Sequence, residues 1–120
     1  MGKKKIQNFI DLDAWRESYK LVISIYDITK QFPKEEIYGL INQMKRCSVS
    51  IASNIAEGFS RRTNKEKAQF YYISHGSLTE LQNQIIISKG LKYINNQETK
   101  DLLDHTKTTQ KLINGFDKIY

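Results

Sequence analysis

Acid–base, nucleophilic or metal chemistry in this chain would have to come from two histidines, one cysteine and thirteen carboxylates, and their spacing argues against all three. A di-metal site in a helical protein needs several inward glutamates and a Glu-x-x-His pair on each of two helices. The chain has no Glu-x-x-His, and neither His75 nor His105 has a second His or Cys at ligand spacing. Asp101 stands four residues before His105, a common pairing on a helix surface. Cys47 has no His or Asn placed to activate it, so it reads as a small buried apolar residue. Gly39, Gly58, Gly76, Gly90 and Gly115 are isolated, which leaves no phosphate loop, dinucleotide fingerprint or serine elbow. Glu57 and Glu80 remain as candidate acids or bases. The simpler reading makes Glu57 a helix-end partner of Arg46, Arg61 or Arg62, and Glu80 a polar contact between helices. The sequence therefore predicts a protein that is not an enzyme, with no catalytic residue, metal or cofactor.

The second kind of chemistry is charge. Nineteen Lys and Arg against thirteen Asp and Glu give a net charge of +6, which favours an anionic partner without identifying one. Arg61, Arg62, Lys65 and Lys67 cluster in one polar segment, Lys45 and Arg46 lie upstream, and Lys3, Lys4 and Lys5 form a basic N-terminal arm over residues 1–10. Arginines beside a helix N-terminus can hold phosphates, although a solvated basic turn has the same composition. The lone cysteine excludes an intramolecular disulfide. The N-terminus has no apolar signal run, and no window is long enough to span a membrane. The expectation is a soluble, cytoplasmic protein.

These residues must be positioned by helices, since the single proline and strong 3.6-residue periodicity leave no strand signal. The stretch Phe32 to Arg62 reads as one long helix with Pro33 in its first turn and Gly58 as a left-handed closing residue. Ile37, Ile41, Met44, Ser48, Ile51 and Ile55 form its core stripe. Gln43, Arg46, Ser50, Asn54 and Glu57 form a second, polar stripe flanked by Cys47, Ala52, Ser53 and Ala56. That side is either ordinary solvated surface or the place where another helix or subunit comes close.

Before it, a helix starting near Asp11 or Asp13 carries Leu12, Trp15, Tyr19, Val22 and Tyr26, broadened by Leu21, Ile25, Ile28 and Phe32; Trp15 and Tyr19 read as core anchors. After it, Thr63 and Glu66 have capping-box spacing for a third helix, with Tyr71, Ser74, Leu78, Leu81, Ile85 and Ser88 on one face. Gly76 within that helix implies close approach of a neighbour. Asn95 and Glu98 open a fourth helix with Thr99, Leu102, Thr106, Thr109, Ile113, Phe116 and Tyr120 in its stripe. Its three threonines predict peripheral or loose packing. Short connections make the fold an all-α, antiparallel up-down-up-down four-helix bundle in one domain, residues 11–120.

The central stretch FPKEEIYGLINQMKRCSVSIASNIAEG resembles the signature of the four-helix-bundle proteins encoded in intervening sequences of bacterial 23S ribosomal RNA, and ISHGSLTELQNQI resembles their second signature. His75, before the Gly-Ser pair, is a mild departure. The resemblance implies a small helical subunit assembling into a homopentameric ring or barrel with a positive surface. It also implies kinship with the accessory protein of diversity-generating retroelements, which binds nucleic acid and a reverse transcriptase. On that footing Gln43, Arg46, Ser50, Asn54 and Glu57 become a subunit or interhelix contact, and five +6 chains would carry about thirty positive charges. The leading expectation is a non-enzymatic oligomer binding nucleic acid, RNA favoured, through Arg46, Arg61, Arg62, Lys65 and Lys67, with Lys3, Lys4 and Lys5 adding avidity. The alternative is a protein-interaction scaffold docking a reverse transcriptase or another protein.

Overall fold

The computed structural model describes residues 5–117. Lys3, Lys4 and Tyr120 lie outside the described residues. Four helices follow one another: α1 (Asp13–Ile28), α2 (Leu40–Ser60), α3 (Asn64–Gly90) and α4 (Asn96–Asp117), with no strand among the described residues. Short 3₁₀ turns at Phe9–Asp11, Thr29–Gln31 and Lys34–Glu36 flank α1 and lead into α2.

The core is the set of aliphatic side chains at helical spacing that no longer touch water. Leu21, Ile25, Met44, Ile51, Ile55, Leu78, Leu81 and Ile85 are fully buried, and Tyr71 stacks on Phe116 with ring centroids 4.4 Å apart. Contacts between successive helices run in opposite order. Along α2, Met44, Ile51 and Gly58 meet Ser88, Ser74 and Tyr71 of α3. Along α3, Tyr71, His75 and Gln82 meet Phe116, Gln110 and Thr106 of α4. Every face residue expected for α3 is buried. The α4 stripe is buried from Thr99 to Ile113, so its threonines do not loosen the packing. The hydroxyls of Thr99, Thr106 and Thr109 donate to the carbonyls of Asn95, Leu103 and His105, which leaves their methyl groups to face the core.

Four sequence expectations are corrected. First, α2 does not begin at Pro33. Pro33 precedes the Lys34–Glu36 turn, and Gly39 (φ −112°, ψ −116°) interrupts the backbone before Leu40, so Ile37 is left 50% exposed. Second, α1 starts without a side-chain cap. Asp11 and Asn8 instead form a capping box around the preceding turn. Third, α1 buries Ala14, Ser18, Leu21 and Ile25, while Tyr19 and Tyr26 are exposed and Trp15 is half-buried against Phe9 and Tyr19. Small residues let the neighbouring helices approach, and the Ser18 hydroxyl is satisfied by the Ala14 carbonyl at 2.7 Å.

The fourth correction concerns the glycines. Gly58 does not adopt a left-handed conformation; it sits buried inside α2, where a Cβ would lie 2.7 Å from Tyr71 Cε1. At Gly76 a Cβ would meet nothing within 4 Å. Close approach of α2 to α3 therefore depends on Gly58.

Candidate nucleic-acid interface

The contact between Gly58 and Tyr71 draws the end of α2 against the start of α3, and the basic cluster spans the three residues between the helices and the first residues of α3. Arg61 caps α2 in an extended conformation, with its N–H on the Gly58 carbonyl at 3.2 Å. Thr63 caps α3 and accepts from the Glu66 N–H at 3.1 Å. Its hydroxyl donates to the Glu66 carboxylate at 2.9 Å, so the expected capping pair forms, with the hydroxyl in place of the cap N–H on the return bond.

Arg61, Arg62 and Lys65 are exposed in this turn. The Arg61 guanidinium lies 4.6 Å from the Phe70 ring centroid and 3.9 Å from the Glu57 carboxylate. That ring and carboxylate orient the guanidinium while leaving it in water, where the ion pair itself is worth little. Lys67 does something else. Its ammonium donates to the Phe59 carbonyl at 2.7 Å and to the Gly58 carbonyl at 3.4 Å, and it lies 5.3 Å from the Phe59 ring centroid. It closes the C-terminus of α2, where a cation complements the helix dipole.

Arg46 is not part of this cluster. It lies fifteen residues before Arg61, about 22 Å along the helix, on a 360 Å³ pocket shared with Gln43, Ser50, Ser77 and Glu80. Of the polar stripe, Ser50 reaches α3 through its hydroxyl, 3.0 Å from that of Ser77, while Asn54 turns back onto the Ser50 carbonyl and Glu57 pairs with Arg61. Cys47, beside Ser50, donates to the Ser77 carbonyl at 2.9 Å. Burial, with Glu80 nearby, pushes its thiol up to about 12, which makes it inert at neutral pH. Lys5 is exposed before the first turn. Among the described residues, no three His, Cys, Asp or Glu side chains gather as a metal site would need. No helix among them is long and apolar enough to cross a membrane.

Sequence reasoning missed a second basic region at the other end of α2. Lys30, Lys34 and Lys45 line a pocket of about 640 Å³ there together with Tyr38. Lys45 stands in the sequence beside Arg46, while Lys30 and Lys34 carry no signal of their own, because only the turn between α1 and α2 brings them to Lys45.

The comparisons with known proteins agree with this architecture. The family model described as 23S rRNA-intervening sequence protein matches residues 10–115. A crystal structure of a protein with unknown function from the S23 ribosomal protein family of Bacteroides thetaiotaomicron aligns with a TM-score of 0.80 at 15% identity, covering 88% of this chain and 95% of that one. At that identity the likeness speaks for the fold alone. No curated protein matches the chain.

Proposed function

The chain belongs to the 23S rRNA-intervening sequence protein family, and from that premise we propose that it is a non-enzymatic, cytoplasmic helical-bundle subunit that binds nucleic acid, RNA foremost, through phosphate contacts. The observation that carries this reading is the exposed group of Arg61, Arg62 and Lys65 at the junction of two helix ends. Such contacts release counterions and are indifferent to sequence. Lys67 leaves the proposed contact set, because its ammonium is committed to the carbonyls of Gly58 and Phe59.

Replacing Arg61 and Arg62 together by Gln tests the reading by titration of a labelled structured RNA at several salt concentrations. Affinity is expected to fall on every sequence alike, and the slope of log K against log salt to become shallower by about 1–2. Unchanged affinity would remove the site. Lys67→Met serves as the control: it is expected to lower stability by about 1 kcal/mol while leaving affinity near that of the parent.

Assembly is the second part of the proposal. The reversed order of contacts between α2, α3 and α4 supports an up-down-up-down path, and the outward side of α3 exposes Tyr72, Ile73, Ile86 and Ile87, with Leu91 exposed at its C-cap. A helix apolar on both sides is one that expects a second neighbour. A homo-oligomer, with five copies as the resemblance implies, would cover that surface, and light-scattering mass measures it directly. The same surface favours the rival reading, a scaffold that docks a reverse transcriptase or another protein. A monomer that nonetheless binds such a protein through Tyr72 and Ile73 would decide for the rival.

A further inference from the structure

Tyr38 is 94% exposed, the most exposed large apolar side chain among the described residues. Tyrosine rings ordinarily bury most of their area. This one is held in water by a turn that is pinned on both sides. The Gly39 and Ile37 N–H groups donate to the Glu36 and Lys34 carbonyls at 3.0 and 3.1 Å. The Glu36 carboxylate accepts from the Tyr93 hydroxyl at 3.1 Å and from the Leu40 N–H at 3.4 Å. A Cβ at Gly39 would lie 2.7 Å from Glu36 Oε1, so a larger residue there would displace the end of that side chain from its bond to the Leu40 N–H.

The ring shares its pocket with cationic, carboxamide and aliphatic side chains. Lys30, Lys34 and Lys45 line it together with Asn42, Ile37 and Ile41, and no carboxylate does. Asp27 pairs with Lys30 at 3.8 Å, but both side chains are 79% exposed, so solvent screens that pair. Glu36 is occupied by Tyr93 and the backbone, and Glu35 is exposed on the turn outside the pocket. Lys45 lies 4.8 Å from the centroid of the Tyr26 ring, a contact that restrains its ammonium.

We infer that this pocket holds one unpaired nucleotide of a nucleic-acid strand, with its base stacked on Tyr38 and its edge within reach of the Asn42 carboxamide, while Lys30, Lys34 and Lys45 neutralise the flanking phosphates. The inference rests on the phosphate-binding reading above and adds what that site lacks. At the Arg61 turn Phe70 is covered by a guanidinium, and the exposed Tyr72 ring shares its pocket with a single cation, Lys65, beside Ala68 and Ile73. At the Tyr38 end a free aromatic face, a carboxamide and three cations surround a space of nucleotide size. The two ends stand about 30 Å apart along the 21 residues of α2, so the preferred ligand is a folded strand with an unpaired segment beside a paired one.

The test uses fluorescence anisotropy with three labelled probes: a short unpaired RNA, the same backbone with abasic residues, and a blunt duplex. The variants are Tyr38→Ala, Tyr38→Phe and the triple Lys30→Gln, Lys34→Gln, Lys45→Gln. Tyr38→Ala is expected to weaken the unpaired RNA roughly tenfold without changing its salt slope, and Tyr38→Phe to leave it unchanged. The abasic probe and the duplex are expected to ignore Tyr38→Ala, and the triple variant to flatten the salt slope of the unpaired RNA by about 2. Equal loss on unpaired and abasic probes overturns the inference, as does displacement of the RNA by a glutamate-rich peptide from parent and Tyr38→Ala alike. A parent that binds RNA steeply with salt but ignores Tyr38→Ala also overturns it and leaves the Arg61 reading intact. A parent that binds no probe at low salt overturns both.

Discussion

Replacing Gly58 and Gly76 in turn by alanine is expected to move stability in opposite directions. At Gly58 the new methyl would meet Tyr71 Cε1 at 2.7 Å, Tyr71 Cδ1 at 3.1 Å and Phe70 Cβ at 3.0 Å. Tyr71 is 2% exposed and stacked on Phe116, so its ring has nowhere to swing, and α2 must move from α3. Overpacking costs about 1–3 kcal/mol, and contacts this short against a ring that cannot move put Gly58 in the upper part of that range, about 2–3 kcal/mol, against about 1 kcal/mol gained from helix propensity. The net is a loss of about 1–2 kcal/mol. At Gly76 no atom lies within 4 Å of the added methyl, so the propensity gain of about 1 kcal/mol stands alone. A chain of this length has an unfolding entropy near 250 cal/mol/K, so Gly58→Ala is expected to lower Tm by about 4–8 °C and Gly76→Ala to raise it by about 4 °C. Thermal and urea unfolding followed by far-UV circular dichroism, at one fixed protein concentration, reads both shifts. A Gly58→Ala chain as stable as the parent would refute the close-approach argument and, with it, the account of how the basic turn is held.

Two further substitutions probe the local chemistry. Lys92 is the left-handed residue after α3 (φ 66°), where the N–H groups of Lys92 and Tyr93 donate to the Lys89 and Ser88 carbonyls. Lys92→Gly is therefore expected to raise stability by about 0.5–1 kcal/mol, and a lowered Tm would contradict it. At Cys47 the folded thiol titrates near 12, above the unfolded value of about 8.5. Its stabilising contribution is thus complete below about pH 8.5 and is lost as pH rises toward 12. A thiol reagent at pH 8 is expected to leave the folded chain unlabelled and to label it fully in denaturant, while Cys47→Ala should flatten the alkaline fall in stability. Rapid labelling of the folded chain would place the thiol at the surface.

What the sequence made legible was the part encoded by neighbours along the chain. The core register of α3 and α4 and the caps at Thr63 and Asn95 follow from spacings of three and four residues, and they stand as read. What it hid depends on contacts between distant residues. The start of α2 was misplaced because Glu36 is held by Tyr93, 57 residues away, which stabilises a turn where the local pattern continues a helix. The face of α1 was misread because periodicity weighs Tyr19 and Tyr26 above Ala14 and Ser18, while packing selects the small residues. In the basic site, Arg61, Arg62 and Lys65 were legible as a run. Lys67 is equivalent to them by sequence position alone, since its ammonium is bound to the Gly58 and Phe59 carbonyls near the end of α2.

In the proposed function assembly and binding use different surfaces. The basic turn at Arg61 and the lysines around Tyr38 lie at opposite ends of α2, while much of the exposed apolar surface, Ile73, Ile86 and Ile87 included, runs along α3 between those ends. Copies joined through the side of α3 would bury aliphatic area without covering either cationic end, so each added subunit would multiply phosphate contacts. Joining through the ends would instead bring like charges together and require anions to bridge them. Salt therefore distinguishes the two arrangements. Side-to-side assembly driven by apolar burial persists or strengthens as salt rises while RNA dissociates, whereas end-to-end assembly depends on the bound anion and dissolves with it.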